Sequence, residues 1–273
     1  FASSSVGTGI AIGTSGLSLA GADASDYSLT LPTLSAAITA RPITVTASDQ
    51  AKVYGATLTF AGTELSASNM VAGETIASAT IASTGAGPSA TVRSYAITIA
   101  DAVAGAGTDL ANYAIAYGPG TLTVTKAGTT SALTGVDATV DAGATLSRTL
   151  TVSGPGSIGG SATFSLYEGT ACEGTATATS TEPVLAGAAT SPIIVSTAGW
   201  YSTKVVYAGG ANHDGSASDC AAVHVLQPVI VTVSLDSAPA VLDATETLRV
   251  RLNPSSAVGT VTFYDGPTSC QRV

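Results

Sequence analysis

Charge is the scarcest property of this 273-residue chain. Only 10% of its residues are Asp, Glu, Lys or Arg, against about 25% in an average domain. Lysine occurs only at positions 52, 126 and 204, and the formal net charge is −9. Nucleic-acid binding needs clustered Lys and Arg to displace counterions from phosphates. Docking on an anionic membrane needs the same basic surface, so the composition argues against both partners. Long apolar runs are missing too. The most apolar stretch, Pro228–Leu235, is interrupted by Thr and Ser, well short of the ~18 residues of a membrane-spanning helix. Sustained helical periodicity is absent. Three cysteines, scattered at 172, 220 and 270, lack the spacing of a zinc site. There is no EF-hand loop, no Gly-rich nonapeptide calcium repeat and no Gly-x-Ser-x-Gly nucleophile elbow. The expectation is a protein without cofactor, metal or catalytic residues.

Ala, Thr, Ser, Gly and Val make up most of the chain, and Gly alone supplies 30 residues. Thr and Val suit a pleated surface, while Gly and Ser punctuate it. Alternating Val, Ile and Leu positions supply enough burial to argue against disorder. The chain opens on Phe1 rather than Met and stops at Val273 partway through a recurring pattern. Both ends read as cut, and the expectation is an internal fragment of a longer protein.

The strongest signal is a repeat. Gly21–Arg41 aligns without a gap on Gly107–Ala127, with Tyr27 on Tyr113, Ile38 on Val124 and a constant offset of 113 − 27 = 86 residues. A period of that size means a tandem array of domain-sized units. Four segments follow. Residues 1–41 are the second half of a truncated unit, with strands at Ile10–Ile12, Leu17–Leu19, Tyr27–Leu31 and Ala36–Thr39. Residues 42–127 are a complete unit. Its expected strands are Ile43–Thr46, Thr57–Phe60, Thr75–Ile81, Tyr95–Ile99, Tyr113–Tyr117 and Thr121–Thr125. Gly55 is read as a turn or bulge, Glu64–Met70 as its one candidate helical turn, and Gly118–Gly120 as a hairpin turn.

Gly128–Ser131 reads as a short linker into residues 128–226. There, expected strands at Leu133–Val140, Thr145–Val152, Ser161–Tyr167, Ser191–Val195, Tyr201–Tyr207 and Ala221–Val225 recur about every ten residues, the spacing of a β-sandwich. Residues 227–273 begin the same unit again: Asp243–Leu248 matches Asp141–Leu146, and Gly259–Gly266 matches Ala162–Gly169. With the strands after Cys270 missing, this last unit is expected to have an incomplete core and exposed edges, as is 1–41. The fold class is therefore all-β, a tandem array of small β domains with truncated units at both ends.

Residues 1–127 resemble the MBG repeats of bacterial surface proteins in their Tyr-Gly variety. The matching residues are Lys52-Val53-Tyr54-Gly55, Gly73-Glu74-Thr75, the Asn112-Tyr113 turn and the closing Gly120–Ala127. Pattern alone leaves a small sandwich and a β-grasp arrangement both open for this unit. Residues 128–226 are similar to the Ig-like repeat domains of bacterial adhesins, through Asp141–Leu146, Ala162–Gly169, Ala198–Tyr201 and Val206–Asn212. The antibody Cys–Trp–Cys spacing is absent. In such a sandwich Tyr201 stands where a tyrosine corner ties a loop to the sheet. The two resemblances imply secreted or surface-displayed modules with Tyr54, Gly55, Tyr113 and Tyr201 as structural residues and no catalytic set.

Repeat logic assigns Cys172 to Cys220 as a disulfide and leaves Cys270, in nearly the place of Cys172, without a partner in the chain. The alternative is a pair of buried thiols. A disulfide implies an oxidising compartment. His213 sits in an expected polar loop and His224 in a strand; neither reads as catalytic. Asp23, Asp26, Asp109, Asp137 and Asp141 could hold calcium weakly at domain junctions, but read better as solvated turn residues. Trp200, the sole tryptophan, is expected in the sandwich beside Tyr201, with a ligand-contact role as the lesser alternative.

Three functions follow. The first is a non-catalytic stalk or spacer of an extracellular bacterial surface protein, adhesin-like, whose partners are the neighbouring repeats of its own chain. The second is a module that binds a host or matrix glycan or protein. The third is an accessory region of a secreted hydrolase.

Overall fold

The computed structural model describes residues 1–135, 138–235, 248–255, 257, 259, 260, 264, 265, 268 and 269. Asp137, Cys270 and the Asp243–Ala244–Thr245–Glu246–Thr247 part of the second sandwich motif lie outside the described residues. What is described is all-β, in several small sheet modules strung in tandem. The described strands fall into separate sheets, and none of these sheets takes strands from two modules.

Residues 1–41 contribute β1 (Gly7–Ile12) and β2 (Leu34–Ile38), paired antiparallel. The next module holds β3 (Arg41–Ala47), β4 (Gln50–Val53), β5 (Leu65–Ser68), β6 (Ile76–Ala82), β7 (Ser94–Ala104), β8 (Tyr113–Gly118) and β9 (Gly120–Thr125). Its strands form two sheets, β5-β3-β8 and β4-β9-β7-β6. Alternation puts Ile43, Val45 and Ala47 of β3, Ile97 and Ile99 of β7 and Leu122 and Val124 of β9 into one core between them. Full burial of each Val, Leu or Ile stabilises by about 1.5–3 kcal/mol.

Two bent arms build this module. β3 turns into β4 and β8 turns into β9, each arm passing from one sheet to the other, and the arms run parallel: β3 pairs β8 and β4 pairs β9. Gly118–Gly120 is therefore a corner between sheets and not the hairpin turn expected from its Gly-Pro-Gly sequence. Asp49, in the turn of the first arm, accepts from the Thr121 N–H of the second at 2.6 Å. The choice between a sandwich and a helix-bearing β-grasp resolves toward two facing sheets. Glu64–Met70 is no helical turn. The Glu64 carboxylate accepts the Ala61 and Gly62 N–H groups, both at 2.9 Å, which hold it below its ordinary pKa. Leu65–Ser68 then leaves as a strand on β3. Thr57–Phe60 makes no ladder, although Leu58 and Phe60 pack on the core.

The first arm is what residues 1–41 lack. Counted back 86 residues, β1 corresponds to the start of β7 and β2 to β9, and a 3-10 turn recurs at Ala24–Asp26 and Leu110–Asn112. Tyr27–Leu31 corresponds to β8 yet forms no strand, and among the described residues no strand runs beside it as β3 runs beside β8. Leu17–Leu19 forms none either. Tyr27, Leu29 and Leu31 stay exposed, Tyr27 at 72%, whereas Tyr113 is 7% exposed.

Residues 130–226 form a sandwich of β10 (Thr130–Thr134), β11 (Thr139–Asp141), β12 (Thr145–Ser153), β13 (Gly160–Glu168), β14 (Ala178–Val184), β15 (Ala188–Ile194), β16 (Gly199–Tyr207), β17 (Ser216–Ala217) and β18 (Ala221–Leu226). One sheet is β10-β12-β15 and the other β11-β18-β16-β13-β14, with β17 on β16. The expected single strand over Leu133–Val140 divides, β10 serving one sheet and β11 the other. β14 is an additional strand; its Thr- and Ser-rich sequence conceals it. Val184 at its end is the apolar position that enters the core. The core has two lobes, around Leu150, Phe164 and Val205 and around Leu146, Tyr201 and Val223. Between Leu146 and Leu150 the same inward face carries Arg148, fully buried, which donates to the Gly135 carbonyl at 2.6 Å. β19 (Ile230–Leu235) and β20 (Leu248–Asn253) then repeat the antiparallel pairing of β10 and β12, and Ile230, Val231 and Val233 are exposed.

Cys172 and Cys220 are joined, with Cα atoms 5.9 Å apart and a sequence separation of 48. Closing a loop of that length restricts the unfolded chain by about 4 kcal/mol on the entropy model. Reduction, or the paired Cys172→Ser and Cys220→Ser change, is expected to lower the sandwich's unfolding free energy by about 2–4 kcal/mol and leave the preceding module's transition in place. Two-transition denaturation followed by circular dichroism checks this.

Burial raises the Tyr207 hydroxyl above its ordinary pKa, and that hydroxyl donates to the Gly159 carbonyl at 2.6 Å. The neutral form is thus favoured in the folded state. Its contribution is complete below the unfolded value near 10 and is lost as pH rises through the folded one. The sandwich's melting temperature should fall between about pH 9 and about pH 12, and more steeply than in Tyr207→Phe.

Candidate functional site

Among the described residues no group of three or more His, Cys, Asp or Glu could hold a metal ion. Asp109 caps its 3-10 turn by accepting the Ala111 N–H at 3.0 Å, which is the local turn role of such a residue. No helix among the described residues is long and apolar enough to cross a membrane. The concentrated chemistry lies where the module of β3–β9 meets the sandwich.

The Lys-Val-Tyr-Gly run leads to that joint. Lys52 is buried, and its ammonium donates to the Ala56 carbonyl at 2.8 Å and the Gly87 carbonyl at 2.7 Å. It thereby clips two loops together without a carboxylate partner. Tyr54 follows, its N–H given to the Thr125 carbonyl of the outgoing strand β9. Its ring meets the edge of the His213 ring from the sandwich, centroids 5.3 Å apart and planes 84° apart. Gly55 adopts φ +87°, and a Cβ there would stand 2.4 Å from Cβ of Pro155. On the sandwich side Gly156 adopts φ +68°, and a Cβ there would stand 2.6 Å from the Tyr54 hydroxyl. Both positions need glycine twice over, for the left-handed backbone and for contact across the joint.

His213 is 2% exposed, although its Gly-Gly-Ala-Asn-His-Asp-Gly setting reads as a polar surface loop. Its Nε2 lies 2.7 Å from the Pro155 carbonyl; a carbonyl only accepts, so Nε2 carries the proton. The connection itself is not slack. Ala127 donates its N–H to the Asn212 carbonyl at 3.0 Å and accepts from the Asp214 N–H at 2.9 Å, a parallel bridge to His213. Thr129 donates to the Asp214 carbonyl at 2.9 Å. Ser131, expected in the linker, already belongs to β10. Finally Asn212 Oδ1 accepts the Val92 N–H at 3.0 Å. Every residue from Lys52 to Gly55 was legible as a motif; that Pro155, Gly156 and His213 receive it was not, since they lie in a different sheet system about 100–160 residues away.

The remaining expected site residues are dispersed. Tyr113 lies at the other end of the module, where its hydroxyl contacts the Glu74 carboxylate and accepts the Val71 N–H. Burial and then Glu74 raise its pKa. Tyr201 points into the core, but the hydroxyl that ties a loop to the sheet is that of Tyr207, not Tyr201. Trp200 is not in the core: it faces outward, 51% exposed, stacked on His224 with centroids 4.5 Å apart and planes 9° apart. The two residues are directly opposite on β16 and β18.

An exposed cross-strand aromatic pair contributes about 0.2–1 kcal/mol, whereas truncating a buried Trp costs about 3–5 kcal/mol. Trp200→Ala should therefore destabilise the sandwich by no more than about 1 kcal/mol in urea denaturation. Gly55→Ala and Gly156→Ala should instead open the joint. The expected result is a larger radius of gyration by small-angle X-ray scattering, with the melting transition of the sandwich retained.

The region that carries the Lys-Val-Tyr-Gly run has a match: residues 43–123 fit the family model of the MBG domain (YGX type). No curated protein matches the chain.

Proposed function

We propose that the chain is a non-catalytic spacer within an extracellular, adhesin-like repeat protein. Residues 1–41 and 42–127 are its MBG-like units; 128–226 and 227–273 are its Ig-like units. The observation that carries this reading is the interlocked joint. Neighbouring domains in one chain move relative to each other unless their interface is well held. Here a ring contact, two glycine-dependent close approaches and three hydrogen bonds between the units hold it, and Thr129 of the connection is tied to Asp214. An array built this way transmits orientation from unit to unit, which is what holding a distal binding region at a distance requires. The Cys172–Cys220 disulfide and the scarcity of lysine fit an oxidising, protease-exposed setting.

A compact 273-residue globule has a radius of gyration of about 19 Å. The spacer reading predicts a clearly larger value that stays constant from low to high salt, with the sharp scattering profile of a rigid rod. A compact profile, or one typical of freely hinged beads, would sink it.

Trp200 favours a second reading, a binding module for glycans, because an outward indole held flat by His224 is a ready platform for a pyranose face. As the only tryptophan, it reports on itself. Chitotetraose and cellotetraose should shift its emission and protect it from acrylamide quenching. Unchanged emission at millimolar saccharide would leave the spacer reading alone.

A further inference from the structure

We infer that the two joints flanking the module of β3–β9 are one device used twice, in which Asn112 and Asn212 recognise the trailing end of an MBG-type unit. The inference concerns how units dock and holds whether the array is a spacer or a binding module.

The donor side is repeated by sequence. At the second joint the Val92 N–H donates to Asn212 Oδ1 at 3.0 Å. At the first, between residues 1–41 and the module of β3–β9, the Val6 N–H donates to Asn112 Oδ1 at 2.9 Å. Val6 and Val92 are repeat equivalents, since 92 − 6 = 86. The pairing agrees: Gly7 lies opposite Ile38, and the Arg93 carbonyl accepts from Val124, 86 residues further in each case. The outgoing residues are equivalent too. Arg41 pairs in parallel with Tyr113, and Ala127 pairs in parallel with His213, with 127 − 41 = 86.

The receiving side is repeated by chemistry alone. Each receiver is an Asn followed by an aromatic ring, Asn112-Tyr113 and Asn212-His213. These are not equivalents: they lie 100 residues apart, and neither repeat has that period. Asn112 ends a 3-10 turn ahead of β8, while Asn212 sits in the loop between β16 and β17. Two different folds thus present the same pair of groups to the same end of a unit. The carboxamide oxygen satisfies a valine N–H that lies just ahead of its strand and so has no ladder partner. The aromatic residue's backbone continues the outgoing strand. Its ring is buried, 7% exposed for Tyr113 in the core of its own module and 2% for His213 against Tyr54. The surface this device fits is therefore the trailing end of an 86-residue unit, whatever fold comes next.

Amide hydrogen exchange by NMR on the full chain tests this. In the wild type both Val6 and Val92 amides should be protected. Asn112→Leu, which keeps the volume and removes the acceptor, should accelerate exchange at Val6 by roughly fivefold to tenfold and leave Val92 unchanged; Asn212→Leu should do the reverse. Asn112→Asp and Asn212→Asp keep an acceptor oxygen and should retain protection. Residual dipolar couplings should show that the Leu variants lose the fixed alignment between units flanking the altered joint. Unprotected Val6 and Val92 in the wild type would overturn the inference without any variant. Leu variants that leave exchange and alignment unchanged would overturn it as well.

Discussion

A β-strand leaves backbone N–H and C=O groups unpaired unless a second strand supplies its ladder. In this chain that demand decides which segments are strands at all. Tyr113–Gly118 is a strand because Arg41–Ala47 runs beside it in parallel. Tyr27–Leu31, its repeat counterpart, is no strand, and among the described residues no strand runs beside it. The same demand reaches past the modules. The Val92 N–H, ahead of its strand, finds its acceptor in the sandwich, and Ala127 continues the outgoing strand by a bridge to His213. Joints and sheets are thus satisfied by one kind of bond.

Side-chain packing then gives the paired backbone a single geometry. The two arms of the MBG-type module could pair in more than one register, but alternation of Ile43, Val45, Leu122 and Val124 toward one core excludes a one-residue slip. At the joint, Tyr54 leaves its own core only partly, packing on it while meeting His213 from the sandwich. In this chain the Tyr54-Gly55 pair is then a docking feature as much as a turn. The tyrosine supplies a ring for the neighbour, and the glycine keeps the backbone low enough for Pro155 to close over it.

Much of this was legible from the residues. The 86-residue period, the all-β class, the Cys172–Cys220 pairing and most strand positions follow from alternation, turn residues and repetition, which are local properties of sequence. The readings that failed share a cause. Gly118–Gly120 has the composition of a hairpin turn, but its flanking strands find distant parallel partners. Glu64–Met70 is polar enough for a helical turn, yet Glu64 is bound by neighbouring N–H groups and Leu65 and Ala67 face the core. Trp200 was expected inside because it adjoins Tyr201, but adjacent strand residues point to opposite faces, and Tyr201 takes the inner one.

What the sequence determined by itself was an all-β chain of several small modules in tandem, marked by an 86-residue repeat and alternating apolar residues. Those are matters of period and composition. Tertiary structure alone decided how the modules meet. It buried His213 from a loop that reads as surface, set Pro155 over Gly55, and brought Asn112 and Asn212 to equivalent valine N–H groups. Each of those contacts pairs residues about 100 or more positions apart in sequence. A contact of that kind is written in the geometry of two folded surfaces and in no local pattern of either.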